Sequence, residues 1–188
     1  MKSLIRKRTY AAIYRLLDKV SPLPGDCGLL CGGICCTGGE QEAASQGFAL
    51  GIYLLPGEEK LFTKKEDWIE WSWSDAADGD FPDSWSGRVY FIRCKNPPSC
   101  PRRMRPLQCR FFPLAPHIDG DGALRLILFP MWHLPYVCPV IEKRLPLSQD
   151  FVRAVFTVWK HLVRDPLIRD LVEYDSGERE ESSLTFLV

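Results

Sequence analysis

Residues 109–129, with the sequence CRFFPLAPHIDGDGALRLILF, contain the clearest hairpin pattern in the chain. Apolar residues fill both halves of the stretch, and Asp119, Gly120, Asp121 and Gly122 lie between them. Asp and Gly are the residue types that form tight turns between antiparallel strands. The stretch therefore predicts a β-hairpin, whose two strands pair with each other across the turn.

Three segments upstream of the hairpin have the composition of short strands. Residues 48–54, 68–73 and 88–93 are rich in aromatic and aliphatic side chains, which favour extended structure. Residues 74–87, in contrast, contain four aspartates without the glycine and glutamate spacing of a calcium loop, and they predict a solvated loop. We therefore expect a small antiparallel sheet in the middle of the chain.

Helices are predicted at both ends of the chain. Over residues 3–20 apolar residues recur at helical spacing, and two prolines and a glycine end the pattern within residues 21–26. Residues 149–174 predict further helix with a break and restart at a proline. Residues 175–188 are mostly polar and predict a loosely held tail. Terminal helices around a small sheet define an α+β fold.

Length and charge narrow the class of protein. The chain has 188 residues without a long linker or a repeat, so we expect a single domain over residues 1–188. Its 24 basic and 24 acidic side chains cancel, which argues against a nucleic-acid binder and against a protein held at a membrane surface. The sequence contains neither an apolar run that could cross a bilayer nor a secretory signal pattern, and a cytoplasmic location is expected.

The cysteines are the main indication of chemistry. A reducing cytoplasm does not maintain a disulfide framework, so thiolate chemistry, most simply metal binding, explains them better. Half of them lie within residues 27–36, in a glycine-rich loop whose backbone can wrap around a small ion. The candidate metal ligands are Cys27, Cys31, Cys35, Cys36, Cys94, Cys100, Cys109 and Cys138.

The spacing of the cysteines leaves the metal and the number of sites open. Zinc and iron–sulfur clusters both accept four thiolates. Eight thiols supply two such sites, or one site and additional thiols. The adjacent side chains of Cys35 and Cys36 diverge unless the backbone turns sharply, which indicates that they serve two different sites or that only one of them is a ligand. A site with four thiolates around zinc or a four-iron cluster carries negative charge. Arg105 and Arg110, close to Cys109 in sequence, are the candidates for balancing it and for lowering thiol pKa values.

Two cysteine motifs resemble those of one family. The first is the spacing C-x3-C-x3-CC over residues 27–36, and the second is RPLQCRFFP at residues 105–113. Together they are similar to the motifs of the YkgJ-like family of zinc- or iron-chelating domains, which is named for a CxxCxxCC motif. Both spacers of the first motif are one residue longer here, and Lys95 follows Cys94 where the family usually has proline. The resemblance covers residues 27–139 and implies that all eight cysteines are candidate ligands.

The leading hypothesis is a cysteine-rich protein that chelates zinc or an iron–sulfur cluster through up to eight thiolates, with no catalytic residue assigned. One alternative is an iron–sulfur redox enzyme, or a protein-modifying component similar to flagellin lysine methylases, which contain the same cysteine module. Such an enzyme requires an open iron position, with Glu58, Glu59 or His133 as the nearby polar groups. A further alternative is a metal-stabilised module that docks on a protein partner through Trp71 and Trp73.

Overall fold

The fold is given by a computed structural model, which describes residues 2–37, 51–95 and 99–188. Within these ranges the chain combines helices near both ends with two small antiparallel sheets, so the predicted α+β class is confirmed. The helices are α1 (Lys7–Leu17), α2 (Ile34–Thr37), α3 (Leu107–Phe111), α4 (Pro139–Glu142), α5 (Gln149–Leu162) and α6 (Pro166–Gly177). The strands are β1 (Ile52–Tyr53), β2 (Ile69–Asp75), β3 (Arg88–Cys94), β4 (Leu114–Ile118) and β5 (Leu124–Leu128).

The first sheet contains three antiparallel strands in the order β1-β3-β2. Strands β2 and β3 occupy the segments that their composition predicts, and β1 occupies the end of the segment predicted over residues 48–54. The beginning of that segment lies outside the described residues. One face of the sheet buries Ile69 and Ile92 against Leu54 and Phe62, which form a small core of their own. Cys94, the last residue of β3, therefore lies at the end of a strand that is packed against this small core.

The predicted hairpin is confirmed by the pairing of β4 with β5, in which Ala115 faces Ile127. Its turn is closed by the Asp119 carboxylate, which accepts hydrogen bonds from the backbone N–H groups of Asp121 and Ala123. All five residues of β4 are buried. The sequence predicts extended structure from residue 109 onward, whereas residues 107–111 form the short helix α3.

The main core lies between the hairpin and the terminal helices. Helix α1 buries Tyr10, Ile13, Tyr14 and Leu17, which recur at the three- and four-residue spacing of one helical face. This face packs with the apolar faces of α5 and of the hairpin, so residues distant in sequence share one core. Among the described residues, no helix is long and apolar enough to span a membrane.

The C-terminal part of the chain contacts both the first residues and the hairpin. Asp165 caps α6 by accepting from the backbone N–H of Leu167, and it also accepts from the Ser3 hydroxyl at 2.7 Å. After α6, the backbone forms a bridge between Phe186 and Ile127 on β5. The sequence predicts a loose tail after residue 174, whereas in this structure α6 continues to Gly177 and the last residues hydrogen-bond to β5. The open edge of the hairpin accounts for the difference, because unpaired strand groups are satisfied by added chain.

Candidate thiol site

The first four cysteines lie on two helical turns that follow α1. Cys27 begins a 3-10 helix, and α2 carries Cys35 and Cys36. Between the two turns, Gly32 and Gly33 have φ values of 63° and 73°, a left-handed conformation that favours glycine. The glycines of this loop therefore let the chain reverse within a few residues and bring its cysteines toward one region.

The other four cysteines come from separate elements. Cys94 ends β3, Cys100 precedes the 3-10 helix Arg102–Met104, and Cys109 lies in the middle of α3. Cys138 is the residue before α4 and is 5% exposed. All eight cysteines of the sequence fall within the described residues, and all eight are free thiols.

The structure brings Cys94 and Cys100 into direct contact. The Cys94 thiol donates a hydrogen bond to Cys100, which raises the pKa of Cys94. The same hydrogen bond lowers the pKa of Cys100 to about 6, and Arg105 adds to this effect through its own hydrogen bond and its charge. The Arg105 Nε atom lies 3.1 Å from the Cys100 sulfur. Cys100 is therefore stabilised as a thiolate.

Cys35 and Cys36 form a second close pair, with 4.0 Å between their sulfurs. The hydrogen bond between them lowers the pKa of Cys36 to about 7 and raises that of Cys35. The positive charge of Arg105 also favours the thiolate of Cys36. The adjacent side chains, which the sequence predicts to diverge without a sharp turn, are thus close enough to act on one ligand. Arg105 affects a thiolate in each of the two pairs.

Cys109 connects the two pairs electrostatically. The residue reaches the surface, but its thiol is surrounded by protein, and desolvation first and then the charges of Cys36 and Cys100 raise the pKa of that thiol. We name Cys36, Cys94, Cys100 and Cys109 the Arg105 thiol group, because the ionisation of each depends on others in the group.

Cys27, Cys31 and Cys138 lie in a neighbouring group. Burial raises the pKa of Cys27, and the charges of Asp26, Cys31 and Cys138 raise it further. Burial likewise raises the pKa of Cys138, to which Cys31 contributes. Tyr136 lies near both groups. Burial raises its pKa, and the charges of the nearby Cys35, Cys138, Cys109 and Cys36 raise it further.

The thiols do not form a preassembled coordination shell. Over residues 2–37, 51–95 and 99–188, no three side chains from His, Cys, Asp and Glu are arranged to hold a metal ion. The direct contacts between cysteines are those of two pairs, Cys35 with Cys36 and Cys94 with Cys100.

Arg110, which the sequence groups with Arg105, contacts a different set of partners. Its guanidinium donates to the backbone oxygens of Arg105 at 2.7 Å and Arg102 at 3.0 Å. It also forms an ion pair with Asp18 at 2.7 Å and lies 4.4 Å from the centre of the Tyr14 ring. Arg110 therefore fastens the segment that carries Cys100 and Cys109 to helix α1.

Glu58 is a feature that the sequence does not identify as buried. It is 0% exposed, and its carboxylate accepts from the Tyr14 hydroxyl and from the backbone N–H groups of Leu55 and Leu107. Burial raises its pKa, whereas all three hydrogen bonds favour the charged form. A signal for this contact exists in α1, because the tyrosines on its apolar face need partners for their hydroxyls.

The remaining sequence candidates lie away from these contacts or at the surface. His133 is exposed in a short 3-10 helix next to Trp132. Trp71 is partly buried against the small core of the three-stranded sheet, and Trp73 is 56% exposed beneath the guanidinium of Arg88. Glu59 is partly buried next to Glu58.

Comparison with known proteins adds no relative to this picture. No family model, no curated protein and no solved structure matches the chain.

Proposed function

We propose that this protein binds a metal through its cysteine thiolates, as a zinc site or an iron–sulfur cluster. The observation that carries the proposal is the Arg105 thiol group. Its four free thiols come from four separate segments, shift one another's pKa values and lie near the positive charge of Arg105. Thiolates are the ligands that zinc and iron–sulfur clusters prefer, and a nearby cation offsets their negative charge.

The geometry of one pair supports a fit to zinc. Two thiolates on the same tetrahedral zinc, each at about 2.3 Å, lie about 3.8 Å apart. The sulfurs of Cys35 and Cys36 are 4.0 Å apart, which is close to that separation. In a four-iron cluster each cysteine binds a different iron, so its sulfurs lie farther apart. This separation is compatible with both sulfurs binding one zinc.

Binding requires the remaining thiols to move closer, because the described side chains form no complete set of ligands. The glycines before α2 and the surface location of Cys109 leave room for such a movement. Arg105 and the Cys94–Cys100 hydrogen bond keep one thiol ionised, which lowers the number of protons that metal binding must displace. The resemblance of the cysteine motifs to those of the YkgJ-like family agrees with this proposal. The role that we propose for the metal is structural rather than catalytic.

The proposal is tested on untagged protein purified without oxygen. We expect at least one equivalent of bound metal in the wild type, and a large loss of metal in Cys36→Ser. Thr37→Ser, on the same short helix as Cys36, keeps every thiol and serves as the matched control. Colourless protein with zinc supports a zinc site, and brown protein with iron and acid-labile sulfide supports a cluster. Wild-type protein without either metal, or Cys36→Ser protein with a full complement, overturns the proposal.

A further inference from the structure

The fully buried carboxylate of Glu58 joins three parts of the chain that are far apart in sequence. Oε1 accepts from the Tyr14 hydroxyl at 2.5 Å and from the Leu107 N–H at 2.8 Å, and Oε2 accepts from the Leu55 N–H at 3.0 Å. Tyr14 belongs to α1, and Leu107 is the first residue of α3. One side chain therefore connects the terminal helix to the helix that carries Cys109.

A second set of contacts holds the same two helices together. Arg110, in α3, stacks on the Tyr14 ring and donates to the Tyr14 backbone oxygen at 3.3 Å. Glu58 therefore binds the Tyr14 hydroxyl, and Arg110 packs on the Tyr14 ring. Since α3 has only five residues, its own backbone hydrogen bonds cannot fix its orientation. Its position depends on these contacts with α1.

We propose that Glu58 is a positioning residue for the thiol site, which fixes α3 and therefore Cys109 against the platform of α1. Where it concerns metal, this inference rests on the proposed function, but the placement of Cys109 does not depend on any metal. Helix α1 lies outside residues 27–139, so the thiol site includes a part of the chain beyond its cysteine motifs.

A side chain with two acceptor oxygens is specifically suited to this role. All three of its partners are donors, so the side chain at position 58 must supply acceptors on both of its terminal atoms. A glutamine places an NH2 group against at least one of these donors, even though it has the same shape. The neighbouring Glu59 is partly buried and provides a matched control with the same chemical change.

The placement is measured by the rate at which an alkylating reagent labels each cysteine of the folded, metal-free protein, read by mass spectrometry. In Glu58→Gln and Tyr14→Phe we expect Cys109 to label several-fold faster than in the wild type, because α3 is loosened. Tyr14→Phe is the deciding variant, because it keeps the Glu58 charge, which itself raises the pKa of Cys109 and slows its labelling. The buried Cys138 is the internal reference and keeps its wild-type rate. Glu59→Gln leaves both rates unchanged. Tyr14→Phe removes only the hydroxyl, and it keeps the test valid if Glu58→Gln does not fold.

Metal affinity provides the second readout, measured by titration with Co²⁺ and its thiolate charge-transfer absorption. We expect a loss of about tenfold or more in Glu58→Gln, as for other groups that orient metal ligands. If the wild type binds no Co²⁺ but Cys109 still labels selectively faster in the variants, the metal-binding function is refuted and the positioning role of Glu58 stands. Uniformly faster labelling of Cys109 and Cys138 reveals general destabilisation and overturns the positioning role, as does an unchanged Cys109 rate in both variants.

Discussion

Replacing Arg110 by alanine removes the side chain that fastens the Cys100–Cys109 segment to helix α1. The guanidinium donates to three backbone oxygens and pairs with Asp18, and its side chain in that pair is only 6% exposed. Hydrogen bonds to a charged group contribute about 1.5–3 kcal/mol each where they are shielded from water. Because the bonds to Arg105 and Tyr14 are partly buried and the others reach solvent, we expect a loss of about 3 kcal/mol in the free energy of unfolding.

For a chain of this size each kcal/mol lowers Tm by about 2–4 °C, so Arg110→Ala is expected to lower Tm by about 6–12 °C. Thermal unfolding followed by circular dichroism measures this change. Arg110→Lys keeps a charge near Asp18 but loses the planar fork, and it should lie between the alanine variant and the wild type. Arg103→Ala, at an exposed position of the neighbouring 3-10 helix, is the control. A Tm within about 2 °C of the wild type for Arg110→Ala, or an equal loss in Arg103→Ala, contradicts the role assigned to Arg110.

Three further perturbations address the core, the pH dependence and the terminal cap. Leu126→Ala, at 0% exposure, should lower the free energy of unfolding in urea by about 2–4 kcal/mol, whereas Leu29→Ala, at 88% exposure, should change it by less than about 0.5 kcal/mol; equal effects contradict the assigned core. Burial and the charge of Arg179 lower the pKa of His117, so the unfolded chain binds a proton that the folded protein resists, and stability falls as pH drops below the ordinary histidine value of 6.5. Urea unfolding of His117→Phe between pH 7 and about pH 5 should show a shallower fall, and an identical slope argues against this origin. Asp165→Ala removes a buried acceptor for the first residues and the cap of α6, and a loss of about 2–3 kcal/mol in thermal unfolding is expected; a loss below about 0.5 kcal/mol shows that water replaces these bonds.

The elements with a local signal are the ones that the sequence predicts well. Helix α1 follows from apolar spacing, and the hairpin follows from a run of turn residues between two apolar segments. In both cases the residues that define the element are neighbours in the chain. Their burial requires only that one face meets some apolar surface, whichever element supplies it.

The conformations of α3 and of the C-terminal tail depend on partners far away in sequence. For these two segments the structure differs from the extended segment and the loose tail that the sequence predicts. Leu107 begins a helix at a point where Glu58 accepts its N–H, across 49 residues of chain. The last residues gain hydrogen bonds because β5 has an open edge. Neither cause leaves a pattern within the segment itself, so periodicity and composition cannot reveal it.

The candidate site divides in the same way. The identity of the thiols and the nearness of Arg105 to Cys100 are readable from a short motif, since the two residues are five positions apart. The buried role of Glu58 is not readable from its own segment, because an acidic residue after a Pro-Gly turn is more often solvated. The donors that reverse this preference come from Tyr14, Leu55 and Leu107.

A platform is required for physical reasons, because cysteine-bearing loops cannot hold their own geometry. The described residues between β3 and β4 form short helical turns, from which Leu107 and Phe111 enter the main core. Ordering such a segment costs backbone entropy of about 1–2 kcal/mol per residue. The bonds of Arg110 and Glu58 to Tyr14 of α1 offset part of this cost. In the proposed metal site, less of the binding free energy would then be spent on ordering the loop. The proposed metal site would therefore gain affinity from contacts that involve no sulfur, and Tyr14 would contribute to its strength as well as the cysteines.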